Sequence, residues 1–117
     1  MGYELKNDKF IPLKNMEELK AQFNRDMNGL YSRTISETKF NPHYFGEMLK
    51  EFGGLGTAQK LLSRPTTSGF TKLWELKRLD LTVEAFIIDN KEKYQQLFTD
   101  EELKIAHQRL DELDYFV

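Results

Sequence analysis

Met16, Leu19, Phe23, Met27, Leu30 and Tyr31 recur at steps of three and four, so a helix gathers them into one apolar stripe. Asn15 and Glu18 have the spacing of a capping box and are expected to open that helix. Gly29 interrupts the pattern and costs about 1 kcal/mol relative to alanine, so the helix is expected to fray or bend before "SRTISETKF". "NPHYFGEMLKEFGG" predicts a second helix, with Asn41 as cap, Pro42 in the first turn and Gly53 left-handed at the exit. Phe45, Met48, Leu49 and Phe52 share its inner face. "LGTAQKLLSR" then reads as a short helix that buries Ala58, Leu61 and Leu62 and stops at Pro65.

Thr67 or Ser68 can cap the next helix, which places Phe70, Leu73 and Trp74 on one side and Lys72, Glu75 and Lys77 off it. Lys77 and Arg78 fall in its last turn, where positive charge complements the helix dipole. Asp80 is expected to cap a helix with Val83, Phe86 and Ile87 inward, followed by a short segment offering Tyr94, Leu97 and Phe98. Thr99 and Glu102 form a second capping box, opening a helix seamed by Leu103, Ala106, Leu110 and Leu113. Upstream, "MGYELKNDKFIPL" alternates weakly and reads as a short hairpin or an extended arm over residues 1–14. The pattern therefore predicts an all-α fold: residues 15–117 as a single compact bundle of about six or seven short helices.

Composition agrees with one domain. With 117 residues, 39% hydrophobic and 13% aromatic, the chain can bury roughly two-thirds of its unfolded surface. The absence of cysteine excludes disulfides, thiolate zinc sites and cysteine nucleophiles, and suits a reducing compartment. No apolar run approaches the ~20 residues of a bilayer span, and no signal-peptide pattern opens the chain, so a cytoplasmic protein without a membrane partner is expected. The net charge of −2 hides an asymmetry. Residues 1–38 balance, residues 39–78 hold seven basic and three acidic side chains, and residues 79–117 hold four basic and ten acidic. Such a division suits attraction within the domain, pairing between copies, or a basic patch offered to a partner.

The strings "EFGGLGTAQKLL", "SGFTKLWELKRLDLTVEAFII" and "QLFTDEELKIAHQRL" resemble, in order and over most of the chain, a group of small bacterial helical proteins of unassigned function. The resemblance implies a helical module that accompanies other domains in bacterial proteins, nuclease-like ones among them, and it supplies no catalytic residues. The group usually carries glycine where this chain has Lys77, which suits a left-handed turn there; this departure implies either that Lys77 strains the turn or that the turn is built differently.

Candidate chemistry is sparse. Trp74, the sole tryptophan, shares its helical side with Phe70 and Leu73 and is expected to pack in the core, where truncation costs about 3–5 kcal/mol. "GGLGT" precedes a helix, but no strand leads into it and the Walker lysine-hydroxyl pair is missing. His43 with Glu47, and His107 with Asp111, give two ligands each at i,i+4, short of the three a metal needs. Neither histidine has an evident serine and carboxylate to work with. The expectation is thus a non-enzymatic interaction or accessory module without a cofactor, acting on a protein partner or a second copy, with Tyr3, Phe10, Tyr44, Tyr115 and Phe116 as candidate contacts. The alternative is helix-turn-helix-like nucleic-acid binding through residues 60–78, with Lys60, Arg64, Lys72, Lys77 and Arg78 meeting phosphates. The long proline-bearing connection and the pI near 5.7 count against it.

Overall fold

The first apolar stripe runs through Gly29 without a break. The computed structural model describes residues 13–117, and helix α1 spans Leu13–Thr38, 26 residues. Gly29 lies on the solvent side with nothing near its absent side chain, while Phe23, Met27 and Leu30 bury the opposite face. That burial outweighs a propensity penalty of about 1 kcal/mol. Beyond Tyr31 the stripe continues in a polar residue: Thr34 is buried, its hydroxyl donating to the Leu30 carbonyl at 2.9 Å. The expected capping box at Asn15 and Glu18 is corrected, since the helix has already begun at Leu13 and both residues lie inside it. The expected arm over residues 1–14 gives up its last two residues to α1, and the rest of it, Tyr3 and Phe10 included, lies outside the described residues.

Helix α2 spans His43–Leu62 and joins the two helices expected there across a break at Gly53, whose φ of 74° and ψ of 179° are not helical. The break leaves the Gly54 N–H without an intrahelical acceptor, and Asn24 of α1 takes it at 2.7 Å. The backbones are so close that a Cβ on Gly54 would stand 2.7 Å from the Asn24 Cα. Asn41 does not cap α2, as expected from its position before Pro42; its side chain accepts instead from the Tyr31 hydroxyl at 3.1 Å.

The later elements are short because each is stopped by its own turn. They are α3 (Ser68–Glu75), a 3-10 turn (Leu79–Leu81), α4 (Val83–Asp89), α5 (Lys91–Tyr94), a second 3-10 turn (Gln95–Leu97) and α6 (Asp100–Asp111). Threonine opens three of them: the hydroxyls of Thr67, Thr82 and Thr99 accept from the N–H groups of Phe70, Ala85 and Glu102. Thr99 and Glu102 complete the expected capping box. Thr82 takes the role expected of Asp80, which pairs with Arg78 instead. The six α-helices of the described residues form an all-α bundle, with α1 much longer than expected and the two helices expected within α2 lying on either side of Gly53. Its core centres on the Phe23 ring, which meets Tyr94, Phe98 and Phe86 at centroid distances of 4.9, 5.5 and 5.6 Å.

Helix α3 ends in a Schellman turn. The Arg78 N–H reaches the Leu73 carbonyl at 2.8 Å, the Lys77 N–H reaches Trp74 at 2.9 Å, and Lys77 stands between them at φ 61°. A side chain in this left-handed region carries a cost that glycine avoids. Lys77→Gly is therefore expected to stabilise the domain by about 0.5–1 kcal/mol, net of glycine's extra freedom in the unfolded chain. Urea denaturation checks this, and a lower midpoint in the variant would contradict it.

Candidate functional site

The most fully buried charges lie where α2, α4 and α6 meet. Glu84 stands alone among apolar residues in "LTVEAFII" on α4, 5% exposed, and Arg109 of α6 donates to its Oε2 at 2.8 Å. The same guanidinium donates to the Leu61 carbonyl at 3.2 Å, to Leu62 at 3.5 Å and to Arg64. These carbonyls come at the C-terminus of α2, where four backbone acceptors lack intrahelical donors. One arginine thus caps α2 and neutralises the buried carboxylate. Neither Glu84 nor Arg109 was expected as a special residue, though a lone carboxylate inside an apolar helical run is a signal for one.

Above this pair is a cavity of about 290 Å³. The segment leading into α2 forms one wall, the first turns of α3 another, and Leu81 and Val83 the floor. Its lining is chiefly apolar, with Phe40, Phe45, Leu61, Phe70 and Leu73 contributing.

Trp74 is not in the core. It is 48% exposed, and the expectation of burial is overturned. Successive helical residues diverge by about 100°, so an α3 seated on Leu73 turns Trp74 to the edge and leaves Phe70 half-buried between them. Trp74 then rims a shallow groove whose other apolar walls are Phe70 and Leu113, with Glu112 and Arg109 beside them.

The five basic residues of the 60–78 segment do not act as one free set. Lys60 lies over the Phe52 ring at 4.6 Å, and Arg64 donates to the Tyr44 hydroxyl at 2.6 Å. Arg78 holds Glu37 at 2.6 Å and Asp80 at 3.0 Å, while Arg33 holds Glu37 from its other side at 3.0 Å. Lys72 and Lys77 are exposed. Of the aromatic candidates, Tyr44 is exposed, Tyr115 is half-buried and donates to Asp89 at 2.6 Å, and Phe116 stacks on His107 at 4.5 Å. No group of three or more potential metal ligands converges among the described residues, and no helix there is long and apolar enough to cross a membrane. Comparison with protein-family models, with curated proteins and with solved structures returns no match.

Hydrogen bonds from Arg33 and Arg78 hold the Glu37 carboxyl down at about 2, from an ordinary 4.5, and the Arg78 bond lowers Asp80 in the same direction. Burial and the hydrogen bond to Asp89 push the Tyr115 phenol up to about 12. Burial and Asp26 raise Tyr94 as well.

Carboxyls depressed in the folded state contribute stability that is whole above their unfolded values, 4.5 and 3.8 here, and is lost as pH falls toward 2. Thermal melts from pH 7 to pH 2 are expected to show a shallower fall below pH 4.5 in Glu37→Gln than in the wild type; parallel acid limbs would contradict the arginine clamp. Arg109→Leu leaves Glu84 buried without its partner and is expected to cost about 3–5 kcal/mol in urea denaturation. Arg109→Leu with Glu84→Leu should recover part of that loss, because the stranded charge goes while the uncapped α2 carbonyls remain.

Proposed function

We propose that the domain is a non-enzymatic interaction module that engages a protein partner, or a second copy of itself, through the surface around Trp74. The observation that carries this reading is the sole indole, half in water at the rim of a groove walled by Phe70 and Leu113. Large aromatic side chains of this kind dominate binding energy when a partner completes their burial. The surrounding charges are mixed in sign, with Lys72, Glu75, Lys77 and Glu112 all exposed, which suits a polar rim around an apolar centre. Tyr44 and Phe116 are further exposed aromatics, whereas Tyr115 is tied to its own domain by Asp89.

Nucleic-acid binding through residues 60–78 is the second reading, favoured by the exposure of Trp74 together with Lys72 and Lys77, since bases stack on such a ring while lysines follow the backbone. It ranks second because Lys60, Arg64 and Arg78 already have partners within the fold. Membership in the group of small bacterial helical proteins is also proposed. It is supported by the left-handed backbone at Lys77, the position where that group carries glycine.

Trp74→Ala separates these roles from packing. The substitution is expected to change stability by under about 1 kcal/mol, well below the 3–5 kcal/mol of a buried ring. Emission from the native protein is expected at the wavelength of a solvated indole, open to iodide, and to shift blue and lose quenching on assembly. The variant should weaken that assembly about tenfold or more, measured by sedimentation over a concentration series or by titration with a captured partner. A monomer at every concentration whose indole stays open to iodide in a concentrated cell extract would overturn the protein-interaction reading. Binding to single-stranded DNA that falls steeply with salt would move the second reading to first place.

A further inference from the structure

Of its lining residues the cavity above Glu84 shares Phe70 and Arg109 with the Trp74 groove and no others, and the hydrogen-bonding capacity of its buried side chains is specific. Its volume of about 290 Å³ is roughly twice that of an apolar cavity that takes up benzene. It also approaches the smallest sites that hold organic ligands. The walls are mostly hydrocarbon and aromatic, so the polar atoms along them decide what fits.

Most of those polar atoms are already engaged. The Thr34 hydroxyl donates to the Leu30 carbonyl, the Thr67 hydroxyl accepts from Phe70, and the Tyr44 hydroxyl accepts from Arg64. Both terminal nitrogens of Arg109 donate to main-chain carbonyls as well as to Glu84. Glu84 differs. Arg109 meets its Oε2, but no donor among the described residues meets Oε1, and that oxygen is not sealed from solvent. The carboxylate is 95% withdrawn from water, and its Oε1 keeps room for one charge-assisted hydrogen bond, from water or from a ligand donor that displaces it. An anionic ligand would face that oxygen with Arg109 already engaged elsewhere.

We infer that the cavity is a binding site for a small apolar ligand of one or two rings bearing a single N–H or O–H group, which donates to Glu84 Oε1. The rings fill the space among Phe45, Phe70, Leu81 and Val83. Trp74 does not line the cavity, so loss of the interaction surface and loss of this site are separate outcomes.

Two probes of equal size and shape test it on the isolated protein: indole, which has an N–H, and benzothiophene, which has none. Methyl resonances of Leu73, Leu81 and Val83 are followed by NMR. Indole is expected to shift them saturably, and benzothiophene to bind about tenfold more weakly, the value of one hydrogen bond to a charged group. Leu61→Phe, which places a ring in the cavity, is expected to abolish the indole response while the variant still melts cooperatively. The absence of saturation up to the solubility of indole would overturn the site. So would a response that survives unchanged in Leu61→Phe. Equal affinity for the two probes would overturn the donor requirement, and that comparison uses the wild-type protein, so it stands even where the variant fails to fold.

Discussion

A guanidinium removed from water needs acceptors for its donors, and the position of Arg109 is tied to the acceptors that its two terminal nitrogens find. Its answers come from three parts of the chain: Glu84 on α4, the carbonyls at the end of α2, and Arg64 in the loop beyond. Those groups are 25 to 48 residues away in sequence and can satisfy one side chain only if α2, α4 and α6 converge. Hydrophobic burial alone would allow these helices to slide on one another, since apolar contact has no direction. The charged pair and its carbonyls permit one arrangement. The start of α3, and with it the cavity wall, follows from where that loop is held.

A second set of constraints joins the first two helices to each other and to the α3 corner. Gly54 lets α2 approach the α1 backbone closely, and Asn24 answers the N–H that the Gly53 break would otherwise strand. At the far end of α1, Arg33, Glu37, Arg78 and Asp80 form a chain of ion pairs that fastens the corner after α3. These exposed pairs contribute modestly each, but as a network they turn Arg78 inward and away from any outside anion. Among the described residues the basic middle of the chain meets the acidic end in one ion pair, Arg78 with Asp80, and reaches back to the first segment at Glu37. Arg64 and Lys60 are drawn toward aromatic rings in the same way.

The two candidate sites lie on either side of Phe70. That residue lines both the cavity and the groove rimmed by Trp74, and Arg109 borders both. Their chemistry differs: the groove offers apolar surface within a rim of mixed charge, whereas the cavity offers a larger apolar lining and one carboxylate oxygen not bonded to Arg109.

Local chemistry in the chain determined what a few neighbouring residues can settle. The capping box at Thr99 and Glu102, the stop after Leu62, the inward Tyr94, Leu97 and Phe98, and the all-α class all rest on interactions spanning three or four residues. Gly29 and Trp74 could not be read that way. Gly29 is harmless because the core holds the other face of α1, and Trp74 is exposed because α3 rests on Leu73, a choice made by the helices beneath it. The pairing of Glu84 with Arg109, the service of Asn24 to Gly54 and the enclosure of the cavity all join residues remote in sequence. Helical periodicity reports which side of a segment is apolar, but only tertiary packing decides which part of that side is covered and which polar group finds its partner inside.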